Sequence, residues 1–125
     1  MADYAWYDKV FFAEGAEQVV HRVGQKKPNA WGIYDMHGNV WEMTMDAAHQ
    51  GYEGAPADGS AWMEGGATNQ DGVVIHPLRG GGLRSTDLRI RSASRHAYAQ
   101  TASSYYVGFR IVCEVPPTAF TSKQP

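Results

Sequence analysis

The chain has 125 residues, which suits one domain with a single core. Its 11 basic and 13 acidic residues are spread along the length, and the formal net charge is −2. This balance excludes a global field that would recruit nucleic acid or an anionic membrane. Apolar runs are short and broken by 14 glycines and 6 prolines, so none is long enough to span a bilayer. Met1, Ala2 and Asp3 lack a signal-peptide pattern, which makes the cytoplasm the default expectation and leaves the compartment open.

Regular elements are expected to be few. Alanine and valines recur at spacings of three and four within residues 13–23, which predicts a short helix between Gly15 and Gly24. Short segments rich in aromatic and β-branched residues predict strands, which are too few for a regular β-sandwich. These segments are residues 4–12, 40–44, 73–78, 88–94 and 107–115.

The remaining chain is dominated by loops and a tail. Residues 46–72 contain six glycines and predict a long irregular connection, of the kind that carries function or is held by an ion. Residues 116–125 contain three prolines and predict a flexible tail after a single domain at residues 1–115. Cys113 follows Ile111 and Val112, which favours a small buried thiol over a reactive one.

Several segments together carry a family resemblance. Residues 31–43 read WGIYDMHGNVWEM and resemble the most recognisable stretch of the formylglycine-generating enzymes, also called sulfatase-modifying factors. Residues 4–7 and 23–29 are similar to the approach to that stretch. Downstream, LRGGG at residues 78–82, RSASR at 91–95 and GFR at 108–110 follow in the family's order and rough spacing. The resemblance covers residues 4–114 and implies an α+β fold related to C-type lectins, low in regular structure and with glycine-rich loops.

The resemblance also implies a missing part. Family members usually carry a comparable length of sequence ahead of this region, so the chain corresponds to the C-terminal half of the family domain, truncated on its N-terminal side. Either the chain is a fragment, or it is a natural minimal form whose exposed core and open strand edges are covered by another copy of the chain. The expected partners are therefore a second copy and a protein or peptide ligand.

A calcium site is the first chemical expectation. Calcium takes six to eight oxygen ligands from carboxylates and backbone carbonyls, and two acids around a glycine-containing turn supply that mixture. The resemblance places the ligands at the Asp35 and Glu42 side chains and at the carbonyls of Gly38 and Val40. The alternative is that Asp35 caps a short helix while Glu42 pairs with an arginine of the core.

Oxidative catalysis is not expected from this chain. The resemblance implies that the generating enzymes hold copper with a cysteine pair between the Arg-Gly-Gly and Arg-Ser-Ala segments, where they convert a substrate cysteine to formylglycine. Residues 83–90 occupy that interval here and contain no cysteine, and Cys113 lies beyond the Gly-Phe-Arg segment. No copper site is therefore expected. The five histidines show no pair at i,i+4 on a convincing helix, which favours single hydrogen-bonding roles over metal ligation.

Two further features concern binding. An arginine series could bind phosphate, but its apolar spacing in a near-neutral chain favours internal ion pairs and hydrogen bonds. The series is Arg79, Arg84, Arg89, Arg91, Arg95 and Arg110. The tyrosine- and serine-rich residues 96–106 predict either an adaptable contact surface or an ordinary surface loop. The predicted surface comprises His96, Tyr98, Gln100, Ser103, Ser104, Tyr105 and Tyr106. Lectin-fold variable proteins of retroelement systems diversify the residues that correspond to these. The resemblance therefore implies that this part of the chain takes part in recognition.

The leading hypothesis is a non-catalytic, lectin-like binding or scaffold module stabilised by calcium. The alternative is an oxidative relative acting on a protein cysteine, or an enzyme half completed by another chain. The four tryptophans are expected mainly in the core; the alternative is that they form an interface between copies of the chain. They are Trp6, Trp31, Trp41 and Trp62.

Overall fold

A computed structural model of the chain describes residues 1–7, 19–99 and 104–113. Within these ranges the regular structure is one four-stranded mixed sheet with the order β3-β2-β1-β4. Its strands are β1 (Trp41–Met43), β2 (Ile75–Arg79), β3 (His96–Ala99) and β4 (Val107–Gly108). The described ranges contain no helix, and so none that could cross a membrane.

The register of the sheet fixes which side chains share a face. β2 pairs antiparallel with both β1 and β3, so that Leu78 lies opposite Met43 on one side and His96 on the other. β4 pairs parallel with β1, where Trp41 is opposite Val107. Because successive side chains of a strand point to opposite faces, these five residues lie on one face, here called the groove face. His76 and Tyr98, two residues along β2 and β3, belong to the same face.

The core lies where this sheet meets the turns that follow β2. Leu78 is 1% exposed, and Leu83 and Ile90 are also buried. Trp41 is buried, as expected for a core tryptophan, and the Gly82 backbone packs against its ring. The core expectation is wrong for Trp31, which is 84% exposed.

The reason for the exposure of Trp31 is a tight turn. The Asn29 side-chain oxygen accepts hydrogen bonds from the backbone N–H groups of Trp31 and Ile33, both at 3.0 Å. Such a side-chain-capped turn fixes the backbone locally and places its tip in solvent. Trp31 is thus held in an exposed turn in spite of its hydrophobicity.

A second tight connection joins the N-terminal segment to the sheet. Trp6 and Gly38 form a parallel bridge, and the Trp6 carbonyl accepts a hydrogen bond from the Asn39 N–H at 2.8 Å. Asn39 is buried and has a φ of 59°, in the left-handed region that asparagine tolerates. Its side chain bonds both the N–H and the carbonyl of His21, at 2.9 and 3.0 Å. One asparagine thus fastens two separate segments.

Only part of the helix predicted at residues 13–23 lies within the described ranges. Residues 13–18 lie outside the described ranges, and residues 19–23 are not helical. The backbone of His21 is bonded to Asn39 instead of to a helical turn, while Val19 and Val23 are exposed. For the described residues the helix prediction is wrong, because a long-range hydrogen bond competes with the local periodicity.

Some of the predicted strands are confirmed by the structure and others are not. Those at residues 40–44 and 73–78 are confirmed as β1 and β2 with shifted ends. The strand at 88–94 is wrong, because the Arg89 N–H donates to the Thr86 carbonyl at 2.8 Å in a turn that leaves Leu88 77% exposed. Within residues 4–12 the described part contributes only the Trp6 bridge, and residues 8–12 lie outside the described ranges.

The last predicted strand, at residues 107–115, is much shorter in the structure. β4 ends at Gly108, the described residues 109–113 are not in a strand, and the rest of the prediction and the predicted tail lie outside the described ranges. Ile111 is 85% exposed, and Cys113 is exposed as well. The expected burial of this thiol is therefore wrong, because its apolar neighbours do not enter the core.

The long connection over residues 46–72 is held by hydrogen bonds and stacking. The Ala47 N–H donates to the Trp62 carbonyl at 2.8 Å, and the Trp62 N–H donates to a carboxylate oxygen of Asp46 at 2.9 Å. The His49 ring stacks on the Trp62 indole with the ring centres 3.5 Å apart. The first residues of the connection are thereby joined to its middle, at Trp62.

Candidate functional site

One arginine joins three parts of the chain at the sheet edge. Arg110, just beyond β4, donates from Nε to Glu42 Oε2 of β1 at 2.5 Å and from Nη2 to the other carboxylate oxygen. The guanidinium also donates to the backbone carbonyls of Tyr34 and Asp35, at 3.2 and 3.0 Å. Hydrogen bonding to Glu42 raises the pKa of Arg110. This arrangement, here called the arginine clamp, keeps the guanidinium charged and fixed in place.

The four expected calcium ligands come together in the structure. Asp35, Gly38, Val40 and Glu42 all line one cavity of about 480 Å³, and Arg110 lines it with them. Asp35 adopts a left-handed φ of 55°, and its carboxylate accepts the Gly24 N–H at 2.7 Å. Of the alternative interpretation, the ion pair of Glu42 with an arginine is present in the clamp, but Arg110 is exposed and not part of the core. The other half is wrong, because the described ranges contain no helix for Asp35 to cap.

The clamp decides how well calcium fits this cavity. Both carboxylate oxygens of Glu42 already accept hydrogen bonds from Arg110, and the Asp35 carbonyl accepts a third. Within the described ranges no group of three histidine, cysteine, aspartate or glutamate side chains converges on one point. Calcium would have to displace the bidentate Arg110 guanidinium from Glu42. The arrangement therefore suits the Arg110 side chain better than a calcium ion. Calcium binding here stays a prediction.

Replacing Glu42 by glutamine tests the two interpretations. Loss of a partly exposed, bidentate ion pair is expected to lower the free energy of unfolding by about 1–2 kcal/mol. The loss should be equal in calcium and in chelator, as measured by thermal melts in the two buffers. Glu53→Gln, at an exposed position, is the matched control and should leave the melt unchanged. A loss confined to the calcium buffer would support a calcium site instead.

The internal role expected of the arginines holds for three of the six. Besides Arg110, the Arg79 guanidinium donates to the Tyr52 hydroxyl at 2.8 Å. Arg95 donates to the His49 carbonyl and lies over the Tyr52 ring, 4.7 Å from its centre. The remaining three are exposed: Arg84, Arg89 and Arg91. Tyr52 therefore connects two of the arginines to the long connection.

An open groove of about 530 Å³ is lined by residues of the groove face and of the segment that follows β4. Its apolar lining includes Met43, Met45 and Phe109. Phe109 is 76% exposed, and Met45 is also largely exposed. His76 and Tyr98, opposite each other across β2 and β3, add polar atoms to the lining. Apolar walls with a few polar atoms are the usual composition of a binding site.

The structure assembles part of the predicted contact surface around this groove. Tyr98 and Ser104 line the groove, while Tyr98 also lines a neighbouring cavity of about 260 Å³ together with His96 and Tyr106. Tyr105 is exposed and packs edge-on against Tyr106, with ring centres 5.0 Å apart. Two predicted residues, Gln100 and Ser103, lie outside the described ranges.

The groove also contains residues that the sequence did not single out. Met43 and Met45 alternate along and just beyond β1, a period-two pattern that marks one face of a strand. His76 is on β2, where the only expectation for a histidine was a single hydrogen bond. No sequence signal connects these positions to Phe109, because only the parallel pairing of β4 with β1 brings them together.

Comparison with known proteins gives the same family as the sequence pattern. The family model described as "Sulfatase-modifying factor enzyme 1-like domain" matches residues 1–115. Among solved structures, PvdO from Pseudomonas aeruginosa is 35% identical with a TM-score of 0.70, over 87% of this chain and 38% of that one. Treponema denticola variable protein 1 is 26% identical with a TM-score of 0.59, over 86% of this chain and 35% of that one.

No match was found among curated proteins. The chain thus spans little more than a third of the length of the two structures it resembles. The likeness to PvdO confirms the expected fold, with its low content of regular structure and its glycine-rich loops. On the extent of the family match, the chain belongs to the sulfatase-modifying factor enzyme 1-like family.

Proposed function

We propose that this chain is a non-catalytic binding module that holds a protein or peptide segment in the groove. The observation that carries the proposal is the groove itself, which combines exposed apolar side chains with hydrogen-bonding atoms and includes residues predicted for contact. The oxidative chemistry implied by the family resemblance needs a cysteine pair, and the corresponding residues 83–90 contain none. Binding is therefore favoured over catalysis for this chain, although a fold alone does not fix function.

The character of the groove favours a peptide over a rigid small molecule. Met43 and Met45 are flexible thioethers that adapt to ligands of different shape, and Phe109 adds a large apolar area. Covering these exposed side chains supplies the hydrophobic part of the binding free energy. The groove is open to solvent, which suits a segment of chain that continues beyond the site.

The test is selection of peptides from a random displayed library, followed by calorimetry on the selected sequences. Phe109→Ala is expected to weaken their binding by at least about tenfold, because an aromatic anchor at the centre of a contact commonly contributes more than 1.4 kcal/mol. Ile111→Ala is the matched control, because Ile111 is 85% exposed but is not part of the groove lining.

Either variant can contradict the proposal. Equal affinity of the selected peptides for the wild-type chain and Phe109→Ala would place their binding elsewhere. A larger loss with Ile111→Ala than with Phe109→Ala would place the contact outside the groove, at residues beyond Phe109. A library that yields no binder above background would contradict the proposal that the groove binds peptides.

A further inference from the structure

His76 is the most buried polar side chain of the groove, at 9% exposure. Its Nδ1 lies 2.8 Å from the backbone carbonyl oxygen of Asp46. A carbonyl only accepts, so Nδ1 carries the proton of this hydrogen bond. In the neutral ring the other nitrogen, Nε2, is then an acceptor. The backbone of the long connection thereby sets the tautomer of a groove residue.

The second nitrogen of this ring is available to a ligand. His76 Nε2 has no hydrogen-bond partner among the described residues. It is also not among the fully buried side-chain atoms without a partner, which in the described ranges are Trp6 Nε1 and His37 Nδ1. The atom therefore keeps contact with solvent, and the cavity that His76 lines is the groove. The groove contains a fixed acceptor that no protein group uses.

The lining around the acceptor determines which donor suits it. Cationic donors such as lysine or arginine side chains are disfavoured, because their charge would lose water against the apolar lining and would meet no carboxylate among the lining residues. Met43 and Phe109 line the same groove and favour a flat apolar body, through sulfur–aromatic and ring–ring contacts. A neutral donor on the rim of an aromatic ring satisfies both conditions.

We propose that the groove selects a tyrosine or tryptophan side chain of the partner, whose O–H or indole N–H donates to His76 Nε2. The inference rests on the proposed peptide-binding function and names the side chain that the groove takes. Selectivity follows because a ligand without the donor covers the groove and leaves the Nε2 acceptor without a partner. Phenylalanine, which differs from tyrosine by one hydroxyl, is expected to bind about tenfold more weakly.

The experiment uses two probes that differ only in that hydroxyl, N-acetyl-tyrosinamide and N-acetyl-phenylalaninamide. Each is titrated into the ¹⁵N-labelled chain, and the ring-nitrogen resonances of His76 are followed by NMR. The tyrosine probe is expected to bind about tenfold more tightly and to shift Nε2 more than Nδ1. Equal affinities, or an Nε2 resonance that neither probe moves, would overturn the inference.

His76→Asn separates binding from structure. The asparagine amide N–H₂ takes the place of Nδ1 and keeps the hydrogen bond to the Asp46 carbonyl, while the groove acceptor is lost. The variant is expected to melt close to wild type and to bind the two probes equally. Retention of the tyrosine preference in this variant would overturn the inference.

The two proposals fail in different ways. Library peptides that depend on Phe109 but show no enrichment of tyrosine or tryptophan would leave the groove as a peptide site and overturn the role of His76. Peptides that bind the wild-type chain and Phe109→Ala with equal affinity would contradict binding in the groove.

Discussion

Gly38→Ala is expected to lower the free energy of unfolding by about 3 kcal/mol or more, which is a large part of the 5–15 kcal/mol available to a typical domain. Two effects combine at this position. A Cβ on Gly38 would overlap the carbonyl oxygen of Trp6, and the other nearest atoms are also Trp6 backbone, which cannot move aside as a flexible side chain can. The φ of 77° adds the strain that a side chain meets in the left-handed region, about 1–2 kcal/mol.

Gly24→Ala is the matched control for this variant. Gly24 has nearly the same φ, 75°, but nothing lies within 4 Å of the position of an added Cβ. It should therefore show only the strain, about 1 kcal/mol. The measurement is urea unfolding of both variants beside the wild type. Equal losses would contradict the close approach of Trp6 to Gly38, since strain alone would then explain both.

Leu78→Ala is expected to lower the free energy of unfolding by about 2–5 kcal/mol. Leu78 is central in β2, its side chain is fully buried, and neighbouring strands pair with it on both sides. Truncation therefore leaves a cavity that the short strands around it cannot fill by collapsing. Chemical unfolding of the variant, followed by tryptophan fluorescence, gives the loss.

Leu88→Ala provides the comparison. Leu88 lies in a turn and is 77% exposed, so the same substitution is expected to change stability by less than about 0.5 kcal/mol. A loss of unfolding free energy with Leu88→Ala as large as that with Leu78→Ala would support the buried strand that the sequence predicted at residues 88–94. A small loss at Leu78 would contradict its place in the core.

The parts of the fold that the sequence predicts well are those specified locally. β1 and β2 follow from short runs of β-forming residues, and the resemblance carried by residues 31–43 gave the family. The exposed turn at Trp31 was missed, although the hydrogen bonds of Asn29 that hold it are local. A capping side chain is a stronger signal there than apolar character.

The candidate site depends on contacts that the sequence does not display. The sequence suggested an arginine partner for Glu42 without identifying Arg110, because the residues lie 68 positions apart. His76 read as an ordinary hydrogen-bonding histidine, and only the Asp46 carbonyl shows which ring nitrogen is left for a ligand. Tyr98 was predicted for contact, but on a loop; the structure places it on β3.

The parallel pairing of β4 with β1 has a consequence for the order of folding. The antiparallel strands β1, β2 and β3 follow one another along the chain, whereas β4 must return across the sheet to reach β1. Closing a loop of that length costs conformational entropy before any contact offsets it, which slows the step. The wall of the groove that carries Phe109 is therefore expected to be the last to assemble and the first to open.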